Sequence, residues 1–159
     1  MTSLDTSSTF PTLPVTRDAA DRPPALPDRC VIVVDSALPP GLAANAAAVV
    51  ALTIGQRHPG LVGAPLVDAS GHSHPGLIPI GIAVLGATQD ELSAIRQKGA
   101  DAGCDIVDFP VQGQQTTNYA AFREAVAGVP APDLRYVAVA LIGERKPLGK
   151  VVSKLGLLG

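Results

Sequence analysis

The sequence predicts an α/β fold in which helices flank both faces of a small mixed β-sheet. Continuous apolar runs at residues 30–34 and 136–142 are typical of strands that are buried on both faces. Segments with helical patterns separate such runs, and the predicted order is strand, helix, hairpin, helix, strand, helix, strand, helix. The 159 residues are enough for one hydrophobic core and too few for two.

Residues 1–28 are expected to form a flexible leader, and residues 29–159 a single domain. The leader holds eight Ser or Thr and five Pro residues and shows little hydrophobic periodicity. Such a segment cannot bury enough apolar surface to offset the entropy that it loses on ordering. A targeting peptide is the alternative, although the segment mixes acidic residues with its arginines.

The first strand, residues 30–34, is followed by a helix predicted for residues 42–54. Two prolines precede a run rich in alanine, the strongest helix former, and a glycine closes it. Because the helix is apolar nearly all round, we expect it to be covered on all sides rather than to lie at the surface. Asn45 is the exception, and a buried amide there must either brace a loop or contact a ligand.

A hairpin and a second helix are predicted next. Two runs typical of strands, residues 61–67 and 78–85, flank a stretch rich in turn residues and indicate a β-hairpin. Thr88 and Glu91 match the capping box Thr-x-x-Glu, which opens a helix that Gly103 is expected to end.

The remaining elements alternate between strands and helices. A buried strand at residues 104–109 precedes a polar loop at residues 112–117, and the helix after this loop ends at Gly128. The strand at residues 136–142 leads through a charged turn into a short last helix.

Composition excludes several classes of protein. A net charge of -2 with only 16% charged residues excludes a basic protein that coats nucleic acid, so nucleic acid is not the favoured partner. No apolar run reaches the roughly 18 residues that a membrane span requires, and we expect a cytoplasmic protein. Cys30 and Cys104 form no C-x-x-C pattern and are expected to be reduced thiols in the core. No pattern points to a cofactor.

Polar segments follow three of the predicted buried strands, at residues 35–41, 110–117 and 143–146. If those strands are parallel, the segments meet in the crevice beyond the carboxyl ends of the strands, where open α/β sheets bind ligands. A small molecule is the expected ligand. The candidate ligand-binding residues are Asn45, Gln112, Gln114, Thr116, Thr117, Arg145 and Lys146.

These candidates have plainer alternatives. The glutamines and threonines offer a neutral cradle for an amide, a sugar or a base edge, or only a helix cap from Thr116 or Thr117 beside solvated glutamines. Arg145 and Lys146 stand at a helix start, where backbone N–H groups favour an anion such as phosphate. With Lys150 and Lys154 they also fit a solvated basic face.

Asp35 and Asp108 are the candidate catalytic residues, because a carboxylate can act as general base on a water molecule. The sequence contains no nucleophile elbow, dinucleotide-binding fingerprint, P-loop or zinc-protease motif. His72 and His74 lack the spacing typical of structural zinc, so no metal site is expected. All three histidines lie outside the polar segments, and triad chemistry is therefore not expected.

Several long segments resemble a bacterial family labelled as a domain of unknown function, the one numbered two thousand. The resemblance runs from about residue 29 to residue 159, through VIVVDSALPPGLAANAAAVVALTIG, VDASG, TQDELSAIRQKGADAGCDIVDFPVQGQQTT and VAVALIGERKPLGKVVSKLGLL. The layout is similar, more distantly, to type II peptidyl-tRNA hydrolase. That resemblance implies a small mixed sheet with helices on both faces and a homodimer.

The functional residues of type II peptidyl-tRNA hydrolase mostly fail to carry over. If its Ala-Ala-Gln aligns with Ala43-Ala44-Asn45, Asn45 keeps a shorter amide, while Gly41 stands in place of a lysine and Ala48 in place of a histidine. Val152 falls where that family has a threonine, and its acidic residue corresponds to Asp108 or is lost at Pro110. The resemblance therefore implies the fold without the ordinary reaction.

Three hypotheses follow, in this order. The first is a repurposed site that binds a small ligand at the edge described above. The alternative is a hydrolase of acyl ester or amide bonds, similar to peptidyl-tRNA hydrolase, with Asp35 or Asp108 as its base. The third is a structural or interaction subunit without a ligand.

Overall fold

A computed structural model describes residues 26–159, so the predicted leader lies outside the described residues except for its last three positions. In the described part, the strands are β1 (Arg29–Asp35), β2 (Leu66–Val67), β3 (Ser73–His74), β4 (Ala83–Ala87), β5 (Asp105–Pro110) and β6 (Tyr136–Gly143). The helices are α1 (Pro40–Arg57), α2 (Gln89–Asp101), α3 (Gln112–Gln115), α4 (Tyr119–Ala127) and α5 (Arg145–Val151). None of these described helices is long and apolar enough to cross a membrane.

Four strands form a mixed sheet in the order β4-β1-β6-β5, which confirms the predicted mixed α/β class. β1 is parallel to β4, with Val33 opposite Leu85. β6 is antiparallel to both of its neighbours, with Val139 opposite Val33 of β1 and opposite Asp108 of β5. β5 therefore runs in the same direction as β1, with β6 inserted between them.

Helices cover both faces of the sheet. α1 packs on one face, against alternate residues of β1 such as Ile32 and Val34. α2 and α5 pack on the other face, against Val31 and Val33. Because β1 and β6 lie in the middle of the sheet, almost all of their side chains are buried, as their continuous apolar runs predict.

The prediction that α1 is covered on all sides is wrong for the described residues. The helix buries Ala43, Ala46, Val50 and Ile54 against the sheet, and its other side is open. Leu52 is 79% exposed there. The apolar residues of α1 favour burial, but the sheet covers only the side of the helix that faces it.

The predicted hairpin is also wrong, because residues 61–67 and 78–85 do not pair with each other. Instead, the end of the first run pairs with the predicted turn stretch in a short hairpin of two residues per strand, where Leu66 lies opposite His74. The end of the later run forms part of β4, and β4 pairs with β1 instead of with the earlier run. The buried edge of β1 offers β4 more apolar contact than an exposed hairpin does.

The predicted ends of α2 are confirmed, whereas α1 continues through Gly55, where the sequence predicted its end, to Arg57. The N–H of Thr88 donates to Glu91 Oε2 over 2.8 Å and the N–H of Glu91 donates to Thr88 Oγ1 over 3.3 Å, which completes the capping box of α2. Gly103 follows α2 with φ of +77°, a conformation that suits glycine. The cap of α4 is Asn118, whose Oδ1 accepts from the N–H of Ala121, rather than Thr116 or Thr117.

Candidate functional site

The strand directions divide the predicted site between two edges of the sheet. Asp35 and residues 112–117 follow the carboxyl ends of β1 and β5, which lie at the same edge. Arg145 and Lys146 follow β6, which is antiparallel, and so lie at the opposite edge. The prediction that all three polar segments meet is therefore wrong for the segment at residues 143–146.

Asp35 joins two loops at the first edge. Its side chain is buried, with the residue only 4% exposed. Oδ1 accepts a hydrogen bond of 2.9 Å from the N–H of Ala37, and Oδ2 accepts one of 3.0 Å from Nε2 of Gln89, the first residue of α2. The carboxylate thus fixes the β1–α1 loop against the start of α2.

The strands β1 and β4 are adjacent and parallel, yet the helices that follow them lie on opposite faces of the sheet. A crevice for ligands forms where connections diverge in this way. A cavity of about 430 Å³ lies beside this point, on the α1 side. It is lined by Ser36, Leu38, Pro40, Ala43, Ala44, Ala47, Val84, Leu158 and Gly159.

Residues 112–117 form the short helix α3 and its end, on the other flank of α1. Nε2 of Gln114 donates to the carbonyl of Leu42 over 3.1 Å, and Oγ1 of Thr116 donates to the carbonyl of Gln112 over 2.9 Å. The Oε1 atom of Gln112 is buried and has no hydrogen-bond partner among the described residues. The hydrogen bond of Gln114 therefore holds α3 against α1, and that of Thr116 closes the end of α3.

An aromatic group lies under this segment. The rings of Phe109, Phe122 and Tyr119 make successive edge-to-face contacts at 6.1 and 6.0 Å between centroids. Thr116, Thr117 and the exposed Tyr119 border a hollow of about 230 Å³. This volume is below the roughly 300 Å³ at which small-molecule pockets begin.

Asn45 and Asp108, the two other predicted residues, do not lie at the first edge in the way that was predicted. Asn45 lies on the open side of α1 and is exposed, so the prediction of a buried amide is wrong. Asp108 lies within β5 and forms an ion pair with Arg96 of α2. The guanidinium of Arg96 stacks on the ring of Tyr136 at 5.5 Å, and its hydrogen bond to Asp108 raises its pKa.

At the opposite edge, Arg145 is engaged with the segment before β1. Its N–H donates to Oδ1 of Asp28 over 2.6 Å, and Nη2 donates to the carbonyl of Asp28 over 3.3 Å. Lys146 is exposed beside it. The start of α5 is thus capped by a carboxylate from the same chain, at the place where an anion was predicted.

Residues 28–159 match the model of a family that is described as a protein of unknown function, DUF2000. This chain belongs to the DUF2000 family. The match confirms the first of the two resemblances seen in the sequence. No protein with a curated description matches the sequence significantly.

A solved structure shares the fold of this DUF2000 chain. It is a protein of unknown function from Agrobacterium tumefaciens, with a TM-score of 0.75 and 20% sequence identity. The match covers 82% of this chain and 97% of that one. At this identity the likeness concerns the fold alone.

The DUF2000 domain also contains a charged cluster that the sequence did not indicate. Asp105, at the start of β5, receives two hydrogen bonds from the guanidinium of Arg57, of 2.8 and 2.6 Å, and lies 2.7 Å from Nε2 of His58. The hydrogen bond from Arg57, and then that from His58, lower the pKa of Asp105. Since almost fifty residues separate the partners, no local motif reveals the cluster.

This cluster borders a cavity of about 750 Å³, which Arg57 and His58 line together with Leu26 and Glu144. Because a carboxylate only accepts hydrogen bonds, Nε2 of His58 donates to Asp105. Nδ1 has no hydrogen-bond partner among residues 26–159. His58 lies outside the predicted polar segments, so no motif marked it as a candidate.

The two remaining histidines lie on the exposed β2–β3 hairpin. His74 Nε2 and His72 Nδ1 are 3.2 and 3.5 Å from Oδ2 of Asp68. The N–H of His72, followed by the ring of His74, lowers the pKa of Asp68. The contacts close the hairpin of this DUF2000 domain at its turn.

Proposed function

We propose that the domain binds a small, uncharged and mostly apolar molecule in the 430 Å³ cavity beside α1. The observation that supports this most is the position of the cavity at the point where the connections after β1 and β4 diverge. Its volume lies within the range of roughly 300–1,000 Å³ that is typical of small-molecule sites.

The lining determines the class of ligand. None of the nine described lining residues has a charged side chain, so a charged group placed there finds no side chain of opposite charge to offset its lost hydration. Ser36 is the polar side chain of the lining, and its hydroxyl donates to the carbonyl of Ala87 over 3.2 Å. The lone pairs of that hydroxyl remain available to accept one hydrogen bond from a ligand.

The experiment is a titration with the neutral fluorophore N-phenyl-1-naphthylamine. Ala44→Phe places a ring in the cavity, and we expect its Kd for the fluorophore to rise at least about tenfold, since the lost apolar contact exceeds about 1.4 kcal/mol. Ala120→Phe, on exposed α4, is the control and should bind as the wild type does. Equal binding by both variants would refute the site.

We further propose that the fold is that of type II peptidyl-tRNA hydrolase, turned to another use. The mixed sheet with α1 directly after β1 supports this proposal. Gly41, Ala48 and Val152 stand where that enzyme has lysine, histidine and threonine, so we expect no release of an N-blocked aminoacyl group from tRNA. Turnover in that assay, beside an active type II hydrolase, would contradict the proposal.

A hydrolase of acyl esters is a second candidate, supported by His58 and not by the predicted carboxylates. Asp35 has both oxygens bonded, and Asp108 is paired with Arg96. In the proposed step, His58 Nδ1 takes a proton from water while the water oxygen bonds to the acyl carbon. The ester C–O bond breaks, and the alcohol leaves with the proton from His58.

The hydrolase is tested with p-nitrophenyl butyrate. General-base catalysis contributes about 100-fold or more, so His58→Ala should lose at least that factor in kcat/KM. His74→Ala, on the exposed hairpin, is the control and should keep the wild-type value. Equal rates for the two variants would refute the role of His58 as the general base of this hydrolysis.

A further inference from the structure

A hollow between α2 and α5 gathers most of the lysines of this chain. It lies on the face of the sheet opposite α1 and has a volume of about 210 Å³. The chain contains four lysines, and three of them, Lys98, Lys150 and Lys154, line this hollow. Positive charge is therefore concentrated at one place in a protein whose net charge is -2.

The ends of two helices bring these lysines together. Lys98 lies in the last turn of α2. Lys150 lies in the last turn of α5, and Lys154 follows that helix. Because Lys98 is distant from the other two in the sequence, only the packing of α2 beside α5 places all three around the same hollow.

The three ammonium groups have no counter-charge in the part of the chain that the structure describes. None of them forms a salt bridge with a carboxylate of residues 26–159. Glu91 also lines the hollow, but its Oε2 accepts hydrogen bonds of 2.8 and 3.0 Å from the N–H and the hydroxyl of Thr88. These bonds lower the pKa of Glu91 and hold its carboxylate at the start of α2. Like charges around one hollow repel each other, and an anion placed among them offsets that repulsion.

Apolar side chains also line the hollow. They are Ala94 and Ile95 of α2, Val151 at the end of α5, and Leu155. A ligand with both an anionic and an apolar part can therefore contact both kinds of surface. The volume is below the roughly 300 Å³ of typical small-molecule pockets, which limits the ligand to a small one.

The number of lysines favours a phosphate ester over a carboxylate. A phosphate monoester carries nearly two negative charges at neutral pH and has three oxygens that accept hydrogen bonds. Each lysine ammonium offers three donors and binds phosphate as a point charge. A carboxylate brings a single negative charge to the same three ammonium groups.

We propose that this hollow binds a small organic phosphate. The phosphate group lies among Lys98, Lys150 and Lys154, and the apolar part of the ligand lies on Ile95 and Leu155. The site is on the other face of the sheet from the cavity beside α1 and does not depend on the ligand proposed there.

The test is a titration of the isotope-labelled full chain with phenyl phosphate at low ionic strength, followed by the NMR shifts of the backbone amides. The largest shifts should occur at residues 94–98 and 150–155. Lys98→Gln and Lys154→Gln should each raise the Kd about fivefold or more, since two unit charges about 4 Å apart in water attract each other by roughly that factor. Both lysines are exposed, so the variants should keep the fold.

Lys146→Gln is the matched control, because it removes the same charge from the fourth lysine, which does not line the hollow. It should keep the wild-type Kd. An equal rise of the Kd in all three variants would show that only the overall charge attracts the ligand, and would overturn the site. Shifts that do not saturate, or that occur only elsewhere in the domain, would overturn it as well.

Two further ligands test the chemical class. Benzoate has the same ring and one negative charge, and inorganic phosphate has the charge without the ring, so both should bind more weakly than phenyl phosphate. If benzoate binds equally well, the preference for phosphate is refuted. If inorganic phosphate binds equally well, the hollow takes the free ion, and the proposal of an organic phosphate is refuted.

Discussion

Oδ2 of Asp35 accepts a 3.0 Å hydrogen bond from the side-chain amide of Gln89, across the ends of two parallel strands. Asp35→Ala leaves this amide and the N–H of Ala37 without their buried acceptor. We expect the free energy of unfolding to fall by about 2 kcal/mol, measured in urea. Asp133→Ala, at an exposed carboxylate, should change it by less than about 0.5 kcal/mol. Equal effects would show that Asp35 does not brace the loops.

Two glycines should respond to alanine in opposite directions. A Cβ at Gly113 would lie 2.0 Å from the ring of Phe109, so Gly113→Ala should destabilise the domain by about 1–3 kcal/mol. A Cβ at Gly55 of α1 meets nothing within 4 Å, so Gly55→Ala should stabilise it by up to about 1 kcal/mol. Both free energies of unfolding are measured in urea, and a Gly113→Ala variant as stable as the wild type would contradict the packing of α3 on Phe109.

The Asp105 cluster should make stability depend on acid pH. Arg57 and His58 hold the pKa of Asp105 below its value of about 3.9 in an unfolded chain. The stabilisation is therefore complete above that unfolded value and disappears as the pH falls through the lower folded pKa. Asp105→Asn should be less stable than the wild type at neutral pH, and the two should converge in acid. A constant difference from pH 7 to pH 2 would refute this linkage.

The two thiols should be slow to react in the folded protein. Burial raises the pKa of Cys30 to about 11, and it also raises the pKa of Cys104. At pH 8 the reactive thiolate is therefore scarce at both sites. We expect Cys104, which is partly exposed, to react with Ellman's reagent before the buried Cys30. Both should react at once in denaturant, and fast reaction of Cys30 in the native protein would contradict its burial.

Local sequence patterns predicted the elements well and their arrangement only in part. The runs at β1 and β6 are apolar because helices cover both faces of these strands, and each run shows this by its own residues. The direction of β6 cannot be predicted from its residues, because it depends on how the strand reaches the edge of β1 that β4 leaves free. This one direction decides that Arg145 lies far from Asp35.

The same reason explains the errors at α1 and in the charged cluster. The alanines of α1 predict a helix but do not state how many sides are covered, so Asn45 was expected inside and lies outside. Arg57, His58 and Asp105 meet only because the end of α1 reaches the start of β5. Contacts of this kind follow from the tertiary fold, and no regular spacing of residues in the sequence reveals them.

The place of β6 between β1 and β5 also has a consequence for folding. The centre of the sheet forms only when β6, the last strand, pairs with β1, the first, and this pairing of Arg29 with Gly143 closes a very long loop. Chains with such distant pairing fold slowly. Until β6 arrives, β1 presents an unpaired apolar edge, and the nascent chain is exposed to aggregation at that edge.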